Sequence, residues 1–257
     1  MGVTFSHQRE ALEASIKASG ERAVYVMKKD ERDDAAKVIG HAFAGTPTTD
    51  AEGSFNWALG PLLADRSDPR RAQVLEYVFG MVVFGTANAT MLGVRNMHNE
   101  LMGFAMVWRS QGGAAGTGFN ICGGVGYYRR HEEPSVFRGA EYDAIGRPFD
   151  KRMTAISNKM KQMHKTHAPG PHWYVHLVAV EPKYVGMKHC SLMIRAVSSI
   201  ADQEGLPCYL ECAGQRSKKI FEHFGYKEME CYSVSLDRDE GHPPLKDFYA
   251  MVRPAKQ

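Results

Sequence analysis

The sequence of 257 residues lacks a long apolar run. No stretch of about 18 consecutive apolar residues occurs, so a membrane-spanning helix is not predicted. The N-terminal region also lacks the apolar segment of a secretory signal, so we expect no leader peptide. Because 44% of the residues are hydrophobic and 24% are charged, the chain can bury a core and is predicted to be cytoplasmic.

Cysteine is scarce, and its spacing supports no metal site. Five cysteines occur and none stands in a CxxC pair, so neither a zinc site nor a redox dithiol has the spacing it needs. We expect reduced thiols and no bound metal. The net charge of +3 is small and is not gathered into one block, which argues against a nucleic-acid partner.

The first residues carry a short pattern that bears on membrane attachment. Met1-Gly2-Val3-Thr4-Phe5-Ser6 fits the N-myristoylation pattern. Because such short patterns are common by chance, we favour an ordinary tail, and attachment to a membrane is not expected. Residues 1–21 are predicted as a polar helical lead-in and 22–257 as a single domain, with insertions near 48–80 and 110–171.

Hydrophobic periodicity predicts a chain that mixes helices and strands. Predicted strands cover 23–27, 88–94, 101–108, 172–180, 208–212, 231–236 and 248–252. Predicted helices begin near residues 30–33, 69, 149, 187 and 215, and they end near 45, 84, 167, 205 and 224. Thr48 to Asp68 is predicted as a polar linker, and the glycine-rich segment 110–126 as a loop. That segment contains no G-x-G-x-x-G between a strand and a helix, so a dinucleotide site is rejected.

One strand–loop–helix unit has the features of a phosphate site. A strongly β-prone strand, 172–180, is followed by the loop Glu181 to Gly186 and by a helix predicted from Met187. A loop that feeds a helix N-terminus presents unpaired backbone N–H groups and the positive end of the helix dipole. A glycine in that loop lets the backbone approach a phosphate closely.

Three motifs in the sequence resemble those of GNAT acetyltransferases. Val178-Ala179-Val180-Glu181-Pro182-x-Tyr184-x-Gly186 looks like the acetyl-CoA-binding motif of that superfamily. Leu210-Glu211 followed by Ile220-Phe221-Glu222-His223-Phe224-Gly225-Tyr226 is similar to its closing strand and helix, and His41 to Pro47 resembles the end of its first helix. The resemblance covers about residues 22–253 and is strongest over 172–226.

The resemblance implies both a fold and an activity. The fold is α/β (α+β), a mixed and mostly antiparallel sheet of six to seven strands flanked by helices. In it, two neighbouring parallel strands splay apart and hold the pantetheine arm. The activity is direct transfer of an acetyl group from acetyl-CoA, as co-substrate, to a primary amine of a small molecule or peptide. A homodimer is left open, and the alternative is a catalytically silent GNAT-like module that binds acyl-CoA or a partner.

The resemblance also implies a set of cofactor-binding residues and two departures from the family pattern. The implied contacts to acetyl-CoA are Val178, Ala179, Val180, Val185, Gly186, Lys188, Cys190, Ser191 and Ser217. Lys188 and Cys190 stand where the family has small residues, so we expect cofactor binding to be weakened or re-routed rather than abolished. Phe221 stands where many members place the tyrosine that protonates the departing thiolate, and phenylalanine cannot donate a proton.

Two residues are candidates for the base that an amine nucleophile needs. His176 lies on the strand that would line the acyl site, and its unperturbed pKa near 6.5 suits proton transfer at neutral pH. Strand alternation predicts that it shares a face with Tyr174 and Val178. A structural histidine held by a backbone carbonyl is the competing interpretation. Glu211 is the second candidate, and as a buried carboxylate it would need a partner.

Overall fold

A seven-stranded sheet forms the centre of the computed structural model, which describes residues 5–19, 23–49, 52–112, 121–236 and 242–256. The strand order is β1-β2-β3-β4-β5-β7-β6. The strands are β1 (Val24–Val26), β2 (Thr90–Arg95), β3 (Leu101–Ser110), β4 (His172–Val180), β5 (Cys208–Ala213), β6 (Lys227–Val234) and β7 (Leu245–Arg253). Neighbours pair antiparallel except β4 and β5, which run parallel. The predicted mixed sheet is confirmed.

Helices cover both faces of this sheet. They are α1 (Phe5–Ser19), α2 (Arg32–Ala44), α3 (Gly53–Leu59), α4 (Pro69–Gly85), α5 (Ile121–Arg130), α6 (Gly139–Glu141), α7 (Arg147–His167), α8 (His189–Gln203) and α9 (Gln215–His223). Within the ranges described, none of these helices has both the length and the apolar character needed to cross a membrane.

Two apolar clusters hold the sheet between its helices. The first cluster lies between the sheet and α2, α3, α4 and α7, and the second lies between the sheet and α1 and α8. Strand β3, in the interior of the sheet, contributes Phe104 and Met106 to the first cluster and Ala105 and Val107 to the second. Because β3 is buried on both faces, its sequence is continuously apolar rather than alternating.

The parallel strands β4 and β5 separate shortly after they meet. They pair at only two positions, Trp173 with Cys208 and Tyr174 with Tyr209. On the other edge of β4, the register with β3 shifts so that Val175 and Leu177 are paired and His176 between them is not. Such a bulge bends the strand and increases its twist. Beyond Tyr174 the two strands therefore diverge and leave a gap through the sheet, as the resemblance implied.

The predicted loop at 110–126 is wrong for its described C-terminal part. Helix α5 occupies Ile121–Arg130, while residues 113–120 lie outside the described ranges. Tyr127 on α5 is 1% exposed, and its ring packs on Gly80 of α4, where a Cβ would lie 2.0 Å from the ring carbon Cζ. This tertiary contact stabilises a helix whose glycines alone disfavour it.

Other boundaries shift where a local pattern is incomplete. The predicted linker contains α3, whose Trp57 and Leu59 are buried, and the predicted lead-in is α1, whose Leu12 and Ile16 are buried in the second cluster. Helix α8 begins two residues later than predicted, because Lys188 adopts a left-handed conformation. Strands β6 and β7 begin four and three residues earlier than predicted, at Lys227 and Leu245. The single-domain assignment stays a prediction.

Candidate active site

An outer cleft of about 620 Å³ opens beside the gap between β4 and β5, at the N-terminus of α8. The end of β4, the loop 182–186 and the first turn of α8 form one wall, and residues 213–217 form the other. The structure brings all the residues that the resemblance implied for acetyl-CoA to this outer cleft: Val178, Ala179, Val180, Val185, Gly186, Lys188, Cys190, Ser191 and Ser217.

The loop before α8 presents backbone donors to the outer cleft. Gly186 has φ 91°, and no heavy atom lies within 4 Å of a Cβ built there, so backbone conformation rather than crowding requires glycine. Lys188 has φ 66°, and its carbonyl accepts the first bond of α8, from Leu192 N–H at 3.1 Å. The first amides of a helix have no intrahelical acceptor, so those of α8 are available to an anion.

The side chains around these amides fit a pyrophosphate. Lys188 is exposed on the rim of the outer cleft, and its side chain ends in a positively charged ammonium group. Burial raises the pKa of the Cys190 thiol to about 11, so this side chain is neutral and does not repel a phosphate. The hydroxyls of Ser191 and Ser217 also line the outer cleft and can donate hydrogen bonds. The donors present therefore match the phosphates of acetyl-CoA.

An inner chamber of about 240 Å³ adjoins the outer cleft, because the two cavities have lining residues in common. Its apolar lining includes the phenylalanines Phe43, Phe55, Phe79, Phe221 and Phe248. Its polar lining consists of Glu52, Ser54, Ser157, His176, Glu211 and Ser217. No lysine or arginine is among the described residues that line it. The inner chamber is thus mainly apolar with acidic groups, whereas the lining of the outer cleft also includes the basic residues Lys188 and Arg216.

The two predicted catalytic residues are joined through Tyr174. The Tyr174 hydroxyl donates to Glu211 Oε2 at 2.7 Å, and His176 Nδ1 lies 3.1 Å from the same hydroxyl oxygen. Because the hydroxyl has a single proton, its oxygen accepts from His176 Nδ1–H, and Nε2 of that tautomer is the free acceptor. The three side chains therefore form a continuous hydrogen-bonded chain beside the gap.

Burial sets the protonation of this chain. Desolvation lowers the pKa of His176 to about 4, so the pKa near 6.5 that the sequence suggested does not hold. Desolvation raises the pKa of Glu211 to about 7, against the opposing effect of the hydrogen bond from Tyr174. Glu211 Oε1 is buried and has no hydrogen-bond partner in the part of the chain that the structure describes. Of the three hydrogen-bonded side chains, Glu211 is therefore the one whose charge changes near neutral pH.

The predicted alternation along β4 holds only as far as the bulge. Tyr174 packs in the first cluster, and the His176 ring lies 5.2 Å from the Tyr174 ring and 5.0 Å from the ring of Trp108. Val178, predicted on the same face, packs instead against the second cluster. The unpaired residue at position 176 shifts the phase of the strand, so the alternation changes there.

A pair of buried histidines supports the Tyr174 ring. His164 Nε2 and His172 Nε2 are 2.7 Å apart, and His172 Nδ1 donates to the Gly170 carbonyl at 2.8 Å. His172 Nε2 is therefore the acceptor, and His164 donates to it. Desolvation lowers the pKa of His164 to about 4, so the pair stays neutral. The His164 ring lies 4.4 Å from the Tyr174 ring and 4.7 Å from that of Tyr209.

Glu52 is a site residue that the sequence analysis missed. Its carboxylate caps α3 by accepting from the Phe55 N–H at 3.0 Å and from the Ser54 hydroxyl. Burial raises its pKa. Glu52 lines both cavities, as do Phe43, Val178 and Ser217. The sequence signal was weak, because glutamate is not among the preferred N-cap residues.

A buried arginine holds the segment that carries Glu52. Arg71 on α4 is 1% exposed and donates to the Ala44 carbonyl at 2.8 and 3.1 Å, which caps the end of α2. It also donates to Asn56 Oδ1 at 2.9 Å and to the Leu63 carbonyl. These bonds tie α2, α3 and the following turn together, so the wall of the inner chamber has a fixed position.

Part of the chain is similar in sequence to a protein named as an N-acetyltransferase. No protein-family model matches it. An uncharacterised N-acetyltransferase of Schizosaccharomyces pombe is 38% identical over 74 residues, which cover 29% of this chain and 29% of that protein.

Solved structures reproduce the architecture over most of the chain. A Corynebacterium glutamicum structure described as histone acetyltransferase HPA2 and related acetyltransferase has a TM-score of 0.52, is 16% identical, and covers 91% of this chain and 97% of its own. The C-terminal condensation domain of Ebony has a TM-score of 0.51, is 8% identical, and covers 90% of this chain and 98% of its own. These likenesses and the splayed parallel strand pair confirm the predicted fold, a mixed seven-stranded sheet of the GNAT type flanked by helices.

Proposed function

We propose that this protein is an N-acetyltransferase that moves the acetyl group of acetyl-CoA directly to a primary amine of a small molecule or peptide. The observation that carries the proposal is the meeting of two cavities at the gap between β4 and β5. The outer cleft offers helix-N-terminal amides and Lys188 to phosphates, and the inner chamber offers carboxylates and a proton path to an amine. A thioester that enters from the outer cleft meets an amine held in the inner chamber.

The splayed strands supply a place for the thioester. In the described chain, β4 has no strand partner on its β5 side beyond Tyr174, so backbone N–H groups near Val178 to Val180 are free to polarise the carbonyl. Phosphates bind at the α8 N-terminus, and the pantetheine arm runs between the two strands. This arrangement brings the acetyl carbon to the residues shared by both cavities.

The hydrogen-bonded chain removes the proton that blocks attack. The ammonium gives a proton to His176 Nε2, His176 Nδ1–H gives one to the Tyr174 oxygen, and Tyr174 gives its own to Glu211. The neutral amine then attacks the thioester carbonyl, so that a C–N bond forms and the C–S bond breaks. CoA leaves as the thiolate and takes up the second proton, which the new amide nitrogen loses.

The pKa values explain why the proton path ends at Glu211. An amine with a pKa of about 10 loses its proton to a group of pKa about 7 at a cost of about 4 kcal/mol. Leaving the proton on His176, whose pKa is about 4, costs about 8 kcal/mol. The pathway through Tyr174 to Glu211 is therefore favoured by about 4 kcal/mol over His176 alone.

Removing the middle of this path tests the proposal. Tyr174→Phe is expected to lower kcat at least about 100-fold, because general base catalysis contributes that much, and to leave the Kd of acetyl-CoA unchanged. The matched control is Tyr232→Phe, which removes a buried hydroxyl that has no described partner and does not line the inner chamber. CoA release with a panel of primary amines and calorimetry with acetyl-CoA are the measurements. Absence of CoA release with every amine would refute the transferase proposal, and an unchanged kcat in Tyr174→Phe would refute the proton path.

A catalytically silent module that binds acyl-CoA is the second candidate function. It is favoured by Phe221, which lines the inner chamber without a proton donor, and by Tyr226, which is 2% exposed and packs in the second cluster. Acetyl-CoA binding without CoA release for any amine would establish this alternative.

A further inference from the structure

We propose that the acceptor is a compact and largely apolar primary amine of about ten non-hydrogen atoms, with its apolar body in the inner chamber and its ammonium group beside Glu52. This inference rests on the proposed acetyl transfer and specifies the class of substrate. Three features of the inner chamber carry it: its volume, its aromatic wall and its charge.

The volume limits the size of the acceptor. An engineered apolar cavity of about 150 Å³ binds benzene, which has six non-hydrogen atoms. In proportion, the inner chamber of about 240 Å³ holds about ten such atoms, the size of a phenyl ring with a short aminoalkyl chain. Several residues of a peptide exceed this volume. Spermidine, with about ten non-hydrogen atoms, does not exceed it, but its additional ammonium groups are costly to bury in an apolar chamber.

The walls favour an apolar body. Phe43 and Phe55 stack with ring centroids 4.7 Å apart, and Phe79 meets them edge-on at 5.3 and 4.8 Å. Met153 and Met160 of α7 also line the inner chamber, and methionine side chains adapt to irregular apolar ligands. Each methylene buried there is expected to raise kcat/KM about fourfold.

The acidic group Glu52 indicates where the amine end of the acceptor binds. Glu52 lies at the junction of the two cavities, where the thioester arrives, together with Phe43, Val178 and Ser217. Its carboxylate is held by the neutral donors Phe55 N–H and the Ser54 hydroxyl. A buried carboxylate is costly without a cationic partner, and an ammonium group supplies one. An amine bound this way presents its nitrogen at the junction.

A substrate series tests the inference. We expect 2-phenylethylamine to exceed ethanolamine at least 100-fold in kcat/KM with acetyl-CoA, and to exceed spermidine and a free tetrapeptide as well. A best rate with spermidine or the tetrapeptide refutes the inference and leaves the acetyltransferase proposal standing. A higher rate with hexanoyl-CoA than with acetyl-CoA also refutes it, because the inner chamber then holds the acyl chain.

A binding measurement separates this inference from catalysis. Calorimetry of 2-phenylethylamine with the full chain in the presence of CoA is expected to give sub-millimolar binding, whether or not turnover occurs. If 2-phenylethylamine binds but no amine is acetylated, the acetyltransferase proposal is refuted and the inference about the ligand is not. Absence of binding refutes the inference.

Two variants locate the ligand. Ser157 is exposed where it lines the inner chamber, so Ser157→Trp is expected to lower kcat/KM and affinity for 2-phenylethylamine at least tenfold. Thr154→Trp, at an exposed position of the same helix that does not line the inner chamber, is the matched control. Glu52→Gln is expected to weaken 2-phenylethylamine at least tenfold and to leave 2-phenylethanol unchanged. Equal weakening of both ligands, or no effect of Ser157→Trp, contradicts the placement.

Discussion

The buried carboxylate of Glu211 makes a prediction about stability that does not depend on the substrate. Its pKa is raised by burial from 4.5 to about 7, so the folded chain holds this proton more tightly than the unfolded chain. Between those two values the folded state binds more protons, and the stability from this group falls as the pH rises. A shift of about 2.5 units corresponds to about 3 kcal/mol. This contribution is present below about pH 4.5 and lost above about pH 7.

The buried histidines change the stability in the opposite direction over nearly the same pH range. Desolvation lowers the pKa of both His164 and His176 from 6.5 to about 4, so their effect raises stability with pH. The wild-type curve alone therefore mixes the two effects. The difference between the wild type and Glu211→Gln isolates the carboxylate, because both chains contain the histidines.

Urea unfolding of both chains at several pH values between 4.5 and 7.5 measures this difference. Glutamine keeps the shape of the side chain and cannot ionise, so the wild type is expected to lose about 3 kcal/mol relative to Glu211→Gln across that range. Glu10→Gln, at an exposed position of α1, is the control and is expected to give a flat difference. A difference for Glu211→Gln that changes by less than about 1 kcal/mol would show that burial does not raise this pKa, and the proton path would lose its end point.

Three further substitutions test the backbone and packing around the site. Lys188→Gly is expected to stabilise the fold by about 0.5 kcal/mol in urea unfolding, because relief of the left-handed conformation slightly exceeds the entropy of glycine. Calorimetry of the variant with acetyl-CoA then decides the role of the Lys188 side chain: tighter binding shows that it crowds the ligand, and weaker binding shows that it pairs with a phosphate. A variant that is less stable than the wild type contradicts the strain. Arg71→Met is expected to lower the free energy of unfolding by about 3 kcal/mol, because buried carbonyls lose a charged donor; a loss under about 1 kcal/mol contradicts this role. Gly80→Ala is expected to cost about 2 kcal/mol through its clash with Tyr127, whereas Gly126→Ala, with no contact closer than 3.7 Å, is expected to stabilise α5; equal effects of both refute the packing argument.

Local patterns in the sequence were sufficient where one segment decides its own structure. The boundaries of β4, His172 to Val180, agree with the prediction, because a β-prone run begins directly after Pro169-Gly170-Pro171. The predicted strands 88–94 and 101–108 leave a short interval between them, and the observed turn lies in this interval, with Asn99 at φ 63°. The residues that the motif resemblance implied for the cofactor lie around one cleft, and their role in binding stays a prediction.

Features that depend on a second segment were not predictable in this way. Helix α5 forms because Tyr127 packs on Gly80 of α4, and no pattern within 110–126 predicts this contact. Glu52 became a site residue because α3 folds against β5, with a Cβ at Gly53 lying 3.3 Å from that of Ala213. For Tyr174 the sequence predicted only that it shares a strand face with His176. Its hydrogen bond to Glu211 was not predictable, because Glu211 lies on the neighbouring strand across the gap. In each case the missing information is a tertiary distance.

The bulge at His176 explains how one strand lines both the outer cleft and the inner chamber. With unbroken alternation, Tyr174, His176 and Val178 would all lie on one face of the sheet, and the proton path and the cofactor strand would compete for it. The unpaired residue shifts the phase, so that Tyr174 lies with the first cluster and Val178 with the second. The same bulge bends β4 away from β5 and opens the gap in which the two cavities meet. A single extra residue in β4 therefore provides both the separation of the two binding regions and the opening that connects them.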